Sequence, residues 1–296
     1  MATTAEVRSW TTPGAQAAAQ ATYQSVRTAL ERGGIFRSYD VDVFLQGSYA
    51  NHTNTRGDSD VDVVVMMRDS YMPDSSRLSV QERDRYESSS IPATVFVDDL
   101  RRDVERALRD YYGFGRVHAR NKCLKVDKRD GYVDADVVPC QQHRLFTNFG
   151  QYGYGDYIEG ISIKPLSGPR ITNYPKEHIK NGARKNERCG EFYKPTVRQM
   201  KRLRRQLVDA RLIGKKDAPG YLLECMTFNV PDEMFVADDL SRLRTVLYWM
   251  NQRDAPELAA SFMSCDMVHH LFKDDPGQHN EYTAKRVIEA LWNGVP

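Results

Sequence analysis

The first half of the chain mixes one helical hydrophobic pattern with several short runs in which every second residue is apolar; after about residue 172 the spacing becomes almost wholly helical. Residues 14–32 are Ala-rich and stop at Gly33-Gly34, which predicts a helix with its C-terminal signal. Val41 to Leu45 alternates apolar and polar residues and runs into Gln46-Gly47-Ser48. The β-rich run Val61 to Met66 follows the turn residues Arg56-Gly57-Asp58-Ser59, so the order reads strand, turn, strand. Residues 69–92 are polar and Ser-rich with a Pro near each end, which predicts a mobile insertion over a cleft. Helical spacing returns over 94–112, and Arg116 to Lys125 and Tyr132 to Val138 have strand character, giving a sheet of at least four strands.

Helices are expected near 175–188, 192–212, 219–229, 237–253 and 281–293. The fold class is therefore α+β: a mixed-sheet lobe over residues 1–165, then a helical lobe over 166–296, with the N-terminal helix packing on both. No repeat and no Gly/Ser or Pro-rich linker separates the halves, so they are expected to pack around a central cleft.

Composition narrows the function classes. Of 296 residues 41% are hydrophobic and 28% charged, the profile of a folded globular chain, and a net charge of +2 is too small for a protein that coats nucleic acid. The five cysteines are widely spread without a CxxC pair, so neither a disulfide framework nor a zinc site is indicated. No apolar run approaches a membrane span and no signal-peptide pattern opens the chain, so a cytoplasmic protein without a membrane partner is expected.

Candidate chemistry centres on Asp60-Val61-Asp62. Residues i and i+2 of a strand share a face, so the two carboxylates project together from an apolar strand and repel unless a cation lies between them. Mg²⁺, a hard ion that takes oxygen ligands, suits this pair, with Mn²⁺ as a substitute. The second acidic strand, Asp134-Ala135-Asp136-Val137-Val138-Pro139, offers the third carboxylate that two-metal phosphoryl transfer requires. Asp134 and Asp136 compete for that place, with Asp136 preferred, and Asp58 is assigned to the turn. Gly47 permits close backbone approach to a phosphate, and Ser48 adds a hydroxyl and an amide at a helix start; a plain turn is the alternative.

Between Arg170 and Lys216 stand about fifteen Lys or Arg and about four acids. Within 192–212, Val197, Met200, Leu203 and Leu207 form an apolar stripe, whereas Lys194, Arg198, Lys201 and Arg205 recur along another face. Lys194 and Lys201 are the expected phosphate contacts; a solvated basic face or a nucleic-acid backbone site are the alternatives. The histidines show no metal-ligand spacing and are read as structural or solvent-facing, while Tyr221 is a candidate for stacking on a base.

Gly47-Ser48, Ser59-Asp60-Val61-Asp62 and Asp136-Val137-Val138-Pro139 resemble the signature of the polymerase beta-like nucleotidyltransferases that include poly(A) polymerases, oligoadenylate synthetases and cyclic GMP-AMP synthase. Asn173-Tyr174-Pro175-Lys176-Glu177-His178, Phe192-Tyr193-Lys194, Lys201-Arg202-Leu203 and Leu222-Leu223-Glu224-Cys225 resemble the bacterial cyclic GMP-AMP synthase-like enzymes (CD-NTases), most nearly their E clade, over about residues 40–231. The resemblance implies an enzyme that joins nucleoside triphosphates, UTP and ATP foremost, into a cyclic di- or oligonucleotide without a template, the product reaching a separate effector in anti-phage (CBASS-type) signalling. It implies Asp60, Asp62 and Asp136 as catalytic Mg²⁺ ligands, Asp136 also assisting deprotonation of the attacking hydroxyl, and Gly47 and Ser48 as the phosphate cradle. Where the family often has Ser before an aromatic, this chain has Gly220-Tyr221, so a hydroxyl donor to the triphosphate is missing or replaced by a backbone amide. Asn173 stands where relatives set base preference and resembles the pyrimidine-using members; a helix cap is the other reading. A template-independent RNA nucleotidyltransferase is the competing function, and a catalytically dead sensor is disfavoured by the three retained carboxylates. A monomer is the default expectation.

Overall fold

The structure is a computed structural model that describes residues 3–14, 16–55, 60–272 and 279–296; the turn residues 56–59, Asp58 among them, lie outside the described residues. In chain order the elements are α1 (Thr4–Ser9), α2 (Gln16–Arg32), α3 (Ile35–Ser38), β1 (Val41–Gln46), α4 (Gly47–Ala50), β2 (Asp60–Asp74), α5 (Val80–Ser89), α6 (Val97–Tyr112), β3 (Val117–Ala119), β4 (Leu124–Val126), β5 (Asp134–Phe146), β6 (Tyr157–Ile163) and β7 (Ile171–Asn173). Then follow α7 (Pro175–Arg188), α8 (Tyr193–Asp209), α9 (Gly220–Phe228), α10 (Asp239–Asn251), α11 (Ala255–Ser261) and α12 (Glu281–Gly294).

The chain divides into two compact units. One comprises Ala17–Gln46 and the stretch from β2 through Lys176; the other takes the N-terminal residues through Gln16, a segment beginning at Gly47, and Glu177–Pro296. A single cut near residue 165 therefore does not describe these units, because two early segments belong with the late helices.

The first unit is built on a sheet of order β1-β2-β5-β4-β3, in which β6 pairs with β5 and β7 with β6. β2 and β5 run parallel at its centre. Val61 and Val63 to Met67 are wholly buried, the near-continuous apolar run of a strand covered on both faces. β4 pairs with the first part of β5 and β6 with the second. α6 buries Leu100, Val104, Ala107 and Leu108 along one side at helical spacing. α2 ends close against α6: a Cβ on Gly33 would meet the Ala107 Cβ at 2.3 Å, so only glycine fits.

Residues 69–92 differ from the expected mobile insertion. β2 continues to Asp74 past a register shift between Met67 and Tyr71, and α5 follows with a capping box of Ser79 and Glu82. Leu78 and Tyr86 join Phe146 and Phe149 in a small buried cluster. Glu82 Oε1 also accepts from the Phe149 N–H at 3.1 Å, and Arg85 donates to the Phe149 carbonyl. Ser-rich polarity described only the outer side of this segment. Seven strands are present among the described residues; β6 and β7 fall in a stretch whose alternation is too short to register against its Gly and Ser content.

In the second unit the expected stripe of α8 is confirmed: Val197, Met200, Leu203 and Leu207 are buried. They pack with Val7 and Trp10 of the N-terminal segment and with Leu222, Leu243, Leu247, Ile288 and Leu291. Each such side chain contributes about 1.5–3 kcal/mol of burial free energy. Arg242, wholly buried, donates to Thr196 Oγ1 and to the Val236 and Ala237 carbonyls and pairs with Asp239, so its charge is fully partnered. No helix among the described residues is long and apolar enough to cross a membrane.

Candidate active site: two acidic strands and a buried ion cluster

The parallel register of β2 and β5 pairs Asp60 with Asp134 and Asp62 with Asp136. Residues paired in register and residues two apart share a sheet face, so four carboxylates project from one side of two adjacent strands. Burial, followed by the charges of Asp136 and Asp60, pushes the Asp62 carboxyl up to about 7. The set is all carboxylate oxygen and mutually repulsive, the donor chemistry that a hard divalent cation such as Mg²⁺ fits.

Asp134 and Asp136 have different surroundings. Asp134 accepts from the Lys128 N–H at 2.6 Å and pairs with Lys125 Nζ at 3.5 Å. Lys125 also stands 4.0 Å from Asp60 Oδ2, and Asp60 is the main influence that raises its pKa. Asp136, opposite Asp62, is in register with Lys125 but makes no ion pair within 4.0 Å among the described residues; beside it lies Cys123, whose thiol is pushed up to about 12 by burial and then by Asp136. This favours Asp136 over Asp134 as the third ligand. Sequence reasoning missed Lys125 and Cys123, which carry no motif and enter only through the pairing of β4 with β5.

Gln46, the last residue of β1, is the register partner of Asp62, and Gly47 follows it in the chain. Gly47 takes φ 68°, a left-handed conformation that glycine alone adopts without penalty. The Ser48 carbonyl accepts from the N–H groups of Thr53 and Asn54 at 2.9 and 3.2 Å, which folds this segment back on itself. Asn173 ends β7 with an exposed side chain that makes no hydrogen bond to a described residue. α7 begins two residues later, at Pro175, so the capping alternative is not realised.

The basic residues of α8 divide. Lys194 is half-buried, and burial holds its ammonium below the usual lysine range; its Nζ makes no hydrogen bond to a described residue. Lys201, the other expected phosphate contact, has three acceptors for its ammonium within the protein: the Thr53 carbonyl at 3.1 Å, Thr53 Oγ1 at 3.0 Å and Glu224 at 3.3 Å. Arg198 is likewise engaged, donating to the carbonyls of Thr11 and His52. Part of the basic face thus belongs to a buried ion cluster. Gly220 opens α9 beside Lys201, and the Tyr221 ring lies 5.6 Å from the His178 ring while 44% of the residue stays exposed.

Glu224 is the centre of that cluster. Burial by itself raises a carboxyl, but Lys201, His178 and Thr53 outweigh it and hold Glu224 down to about 2. A carboxylate inside the apolar run Leu222-Leu223-Glu224-Cys225-Met226 was the available sequence signal. His178 proves buried rather than solvent-facing, its Nε2 3.0 Å from Glu224. With Cys225 and Cys265 it forms, among the described residues, the one group of three potential metal ligands whose donor atoms lie within 4.8 Å of one another. The group offers three donors where structural zinc takes four, and its members are already bonded: Tyr193 Oη to Cys265 Sγ, and the Cys265 N–H to Cys225 Sγ. It is read as a buried polar contact.

A family model described as the cGAS/DncV-like nucleotidyltransferase C-terminal helical domain matches residues 180–295, and one described as a nucleotidyltransferase domain matches residues 29–143. The chain is 37% identical over 294 residues to the cyclic UMP-AMP synthase of Rhodothermus marinus (strain SG0.5JP17-172), covering 98% of this chain and 97% of the relative. It is 31% identical over 289 residues to the cyclic dipyrimidine nucleotide synthase CdnE of Legionella pneumophila, covering 96% and 94%. Among solved structures it is similar to the Rhodothermus marinus CdnE c-UMP-AMP synthase with Apcpp and Upnpp, with a TM-score of 0.85 at 35% identity over 99% of this chain and 97% of that one.

Proposed function

Because this chain belongs to the CdnE-type cyclic nucleotide synthases of the cGAS/DncV-like nucleotidyltransferase family, we propose that it joins two nucleoside triphosphates into a cyclic dinucleotide containing uridine. The observation that carries the reading is the register of Asp60 and Asp62 beside Asp136 on paired parallel strands. In each of two transfers a ribose hydroxyl attacks the α-phosphorus of a triphosphate, the new phosphodiester forms as the bond to pyrophosphate breaks, and the second transfer closes the ring.

Asp60, Asp62 and Asp136 are the residues that would hold Mg²⁺, or Mn²⁺ in its place. Bound there, the ion supplies charge neutralisation of the triphosphate and acidification of the attacking hydroxyl. Asp136 orients that hydroxyl and accepts its proton, a task supported by its lack of an ion pair among the described residues. Gly47 and Ser48 cradle phosphate oxygens, and Lys194, whose ammonium has no hydrogen-bond acceptor among the described residues, supplies a cation to them. The Gly220 amide takes the place of the family's hydroxyl donor, and Tyr221, partly exposed beside the His178 and His279 rings, is the residue for stacking on a base.

Asn173 supports uridine as one of the bases. Its amide, which makes no hydrogen bond to a described residue, offers a donor and an acceptor together, enough to read the edge of uracil, and two similar proteins are named for UMP-AMP and dipyrimidine products. UTP and ATP are the proposed substrates. A reducing cytoplasm, favoured by five unpaired cysteines, is the proposed setting, with the product acting on a separate effector in anti-phage defence.

Incubation with the four NTPs and Mg²⁺, phosphatase treatment and mass spectrometry of the survivors tests the reading, with Asp60→Ala/Asp62→Ala as control. A phosphatase-resistant cyclic species made by wild type alone is expected. Extension of added RNA without a cyclic product would move the assignment to an RNA nucleotidyltransferase.

A further inference from the structure

α4 has four residues, too few to hold a helical turn by its own hydrogen bonds, so whatever fixes Gly47 and Ser48 must come from elsewhere. The contacts that do so lie within one compact unit, which joins the segment beginning at Gly47 to the helices from Glu177 onward.

We propose that Thr53, Lys201 and Glu224 are positioning residues that set the backbone of Gly47 and Ser48 for a nucleoside triphosphate by tying this segment to α8 and α9. The inference rests on the phosphate role proposed above for Gly47 and Ser48. Thr53 is wholly buried, and its hydroxyl donates to Glu224 Oε2 at 2.8 Å while accepting from Lys201 at 3.0 Å. Lys201 holds the Thr53 carbonyl as well. From Thr53 the linkage passes to its own N–H, which bonds the Ser48 carbonyl, and the neighbouring Asn51 N–H bonds the carbonyl of Gly47. Arg198 fastens the same segment from α8 through the His52 carbonyl.

Two further observations fit. A buried Lys–Glu pair is commonly no more stable than an apolar pair of similar volume, so its value here lies in directed bonds to one hydroxyl and one carbonyl. A Cβ on Gly220 would stand 3.2 Å from Lys201 Cε, tighter than an ordinary contact. Gly220 therefore leaves the end of the Lys201 side chain unobstructed.

The test is steady-state pyrophosphate release by the full chain with NTPs and Mg²⁺, with thermal midpoints measured in parallel. Thr53→Val is expected to raise KM for NTP about tenfold with kcat changed less than about threefold, Thr53→Ser to restore it, and Lys201→Met to match the valine variant. A Thr53→Val enzyme with KM within about twofold of wild type, beside a Lys201→Met enzyme with KM strongly raised, would overturn the proposal, because Lys201 would then act on the phosphate alone. Equal losses of kcat and thermal midpoint with KM unchanged would also overturn it, leaving a merely structural contact. If Thr53→Val does not fold, Thr53→Ala is read in the same way. Absence of a cyclic product from wild type removes the functional reading itself; a wild-type KM in Thr53→Val removes only this inference.

Discussion

Asp62 on β2 stands directly opposite Asp136 on β5 in a parallel register, two carboxylates on one face of a sheet whose interior is apolar. The pairing costs the protein stability wherever both carboxylates are charged with no cation between them. Burial and the charges of Asp136 and Asp60 raise the Asp62 carboxyl from 3.8 to about 7, so it withdraws stability progressively as pH rises through that interval. In EDTA at pH 8, Asp62→Asn should raise the thermal midpoint by several degrees, on the order of 1–2 kcal/mol. The gain should shrink as pH falls toward 4, while product formation drops on the order of 10³-fold at every pH. Scanning calorimetry across pH with a product assay checks both; a lowered midpoint at pH 8 would refute the electrostatic account.

Gly47→Ala places a Cβ on a residue at φ 68°. The expected cost is about 1–2 kcal/mol, read as a lower urea midpoint at unchanged slope. A midpoint equal to wild type would mean that the segment relaxes to another conformation, and KM for NTP should then rise.

Glu224 sets an acid limit on stability. Its carboxyl is held from an ordinary 4.5 down to about 2, burial being outweighed by Lys201, His178 and Thr53. Its contribution is complete above 4.5 and lost as pH falls through 2. His178 acts in the opposite sense: burial lowers its pKa, Glu224 more than compensates, and its contribution is complete below 6.5 and lost as pH rises through its higher folded value. Glu224→Gln should cost about 3–5 kcal/mol at neutral pH and flatten the acid limb of the stability profile. Urea midpoints from pH 2 to 7 decide it.

Asn173→Ser removes the paired donor and acceptor from an exposed position without touching a buried contact. Thermal stability should be unchanged within about 0.5 kcal/mol, and base use should broaden toward purines. Competition between UTP and the purine triphosphates, read by mass spectrometry, measures this. Unchanged UTP preference would remove Asn173 from base selection.

The sequence by itself determined the pieces whose physics is local. The β-rich run Val61 to Met66 marked β2, the Asp60-Val61-Asp62 spacing put two carboxylates on one face, and helical spacing marked α7, α8 and α9 with the buried stripe of α8. The motifs of the acidic strands and of the Lys194 to Glu224 region also carried the family. Tertiary structure decided what depends on partners distant in the chain. The pairing of β4 with β5 sets Lys125 in register with Asp136 while its ammonium pairs with Asp134, and the pairing of β2 with β5 sets Asp136 opposite Asp62, a distinction that two aspartates on one strand face cannot reveal. Packing of α5 on Phe146 and Phe149 gave order to a Ser-rich stretch whose polarity suggested a loop. Lys201 shows the limit best: helical spacing placed it on a basic face, yet spacing says nothing of Thr53 and Glu224, 148 and 23 residues away, which took up its charge. Periodicity fixes which side of an element a residue lies on; only the folded chain fixes what waits there.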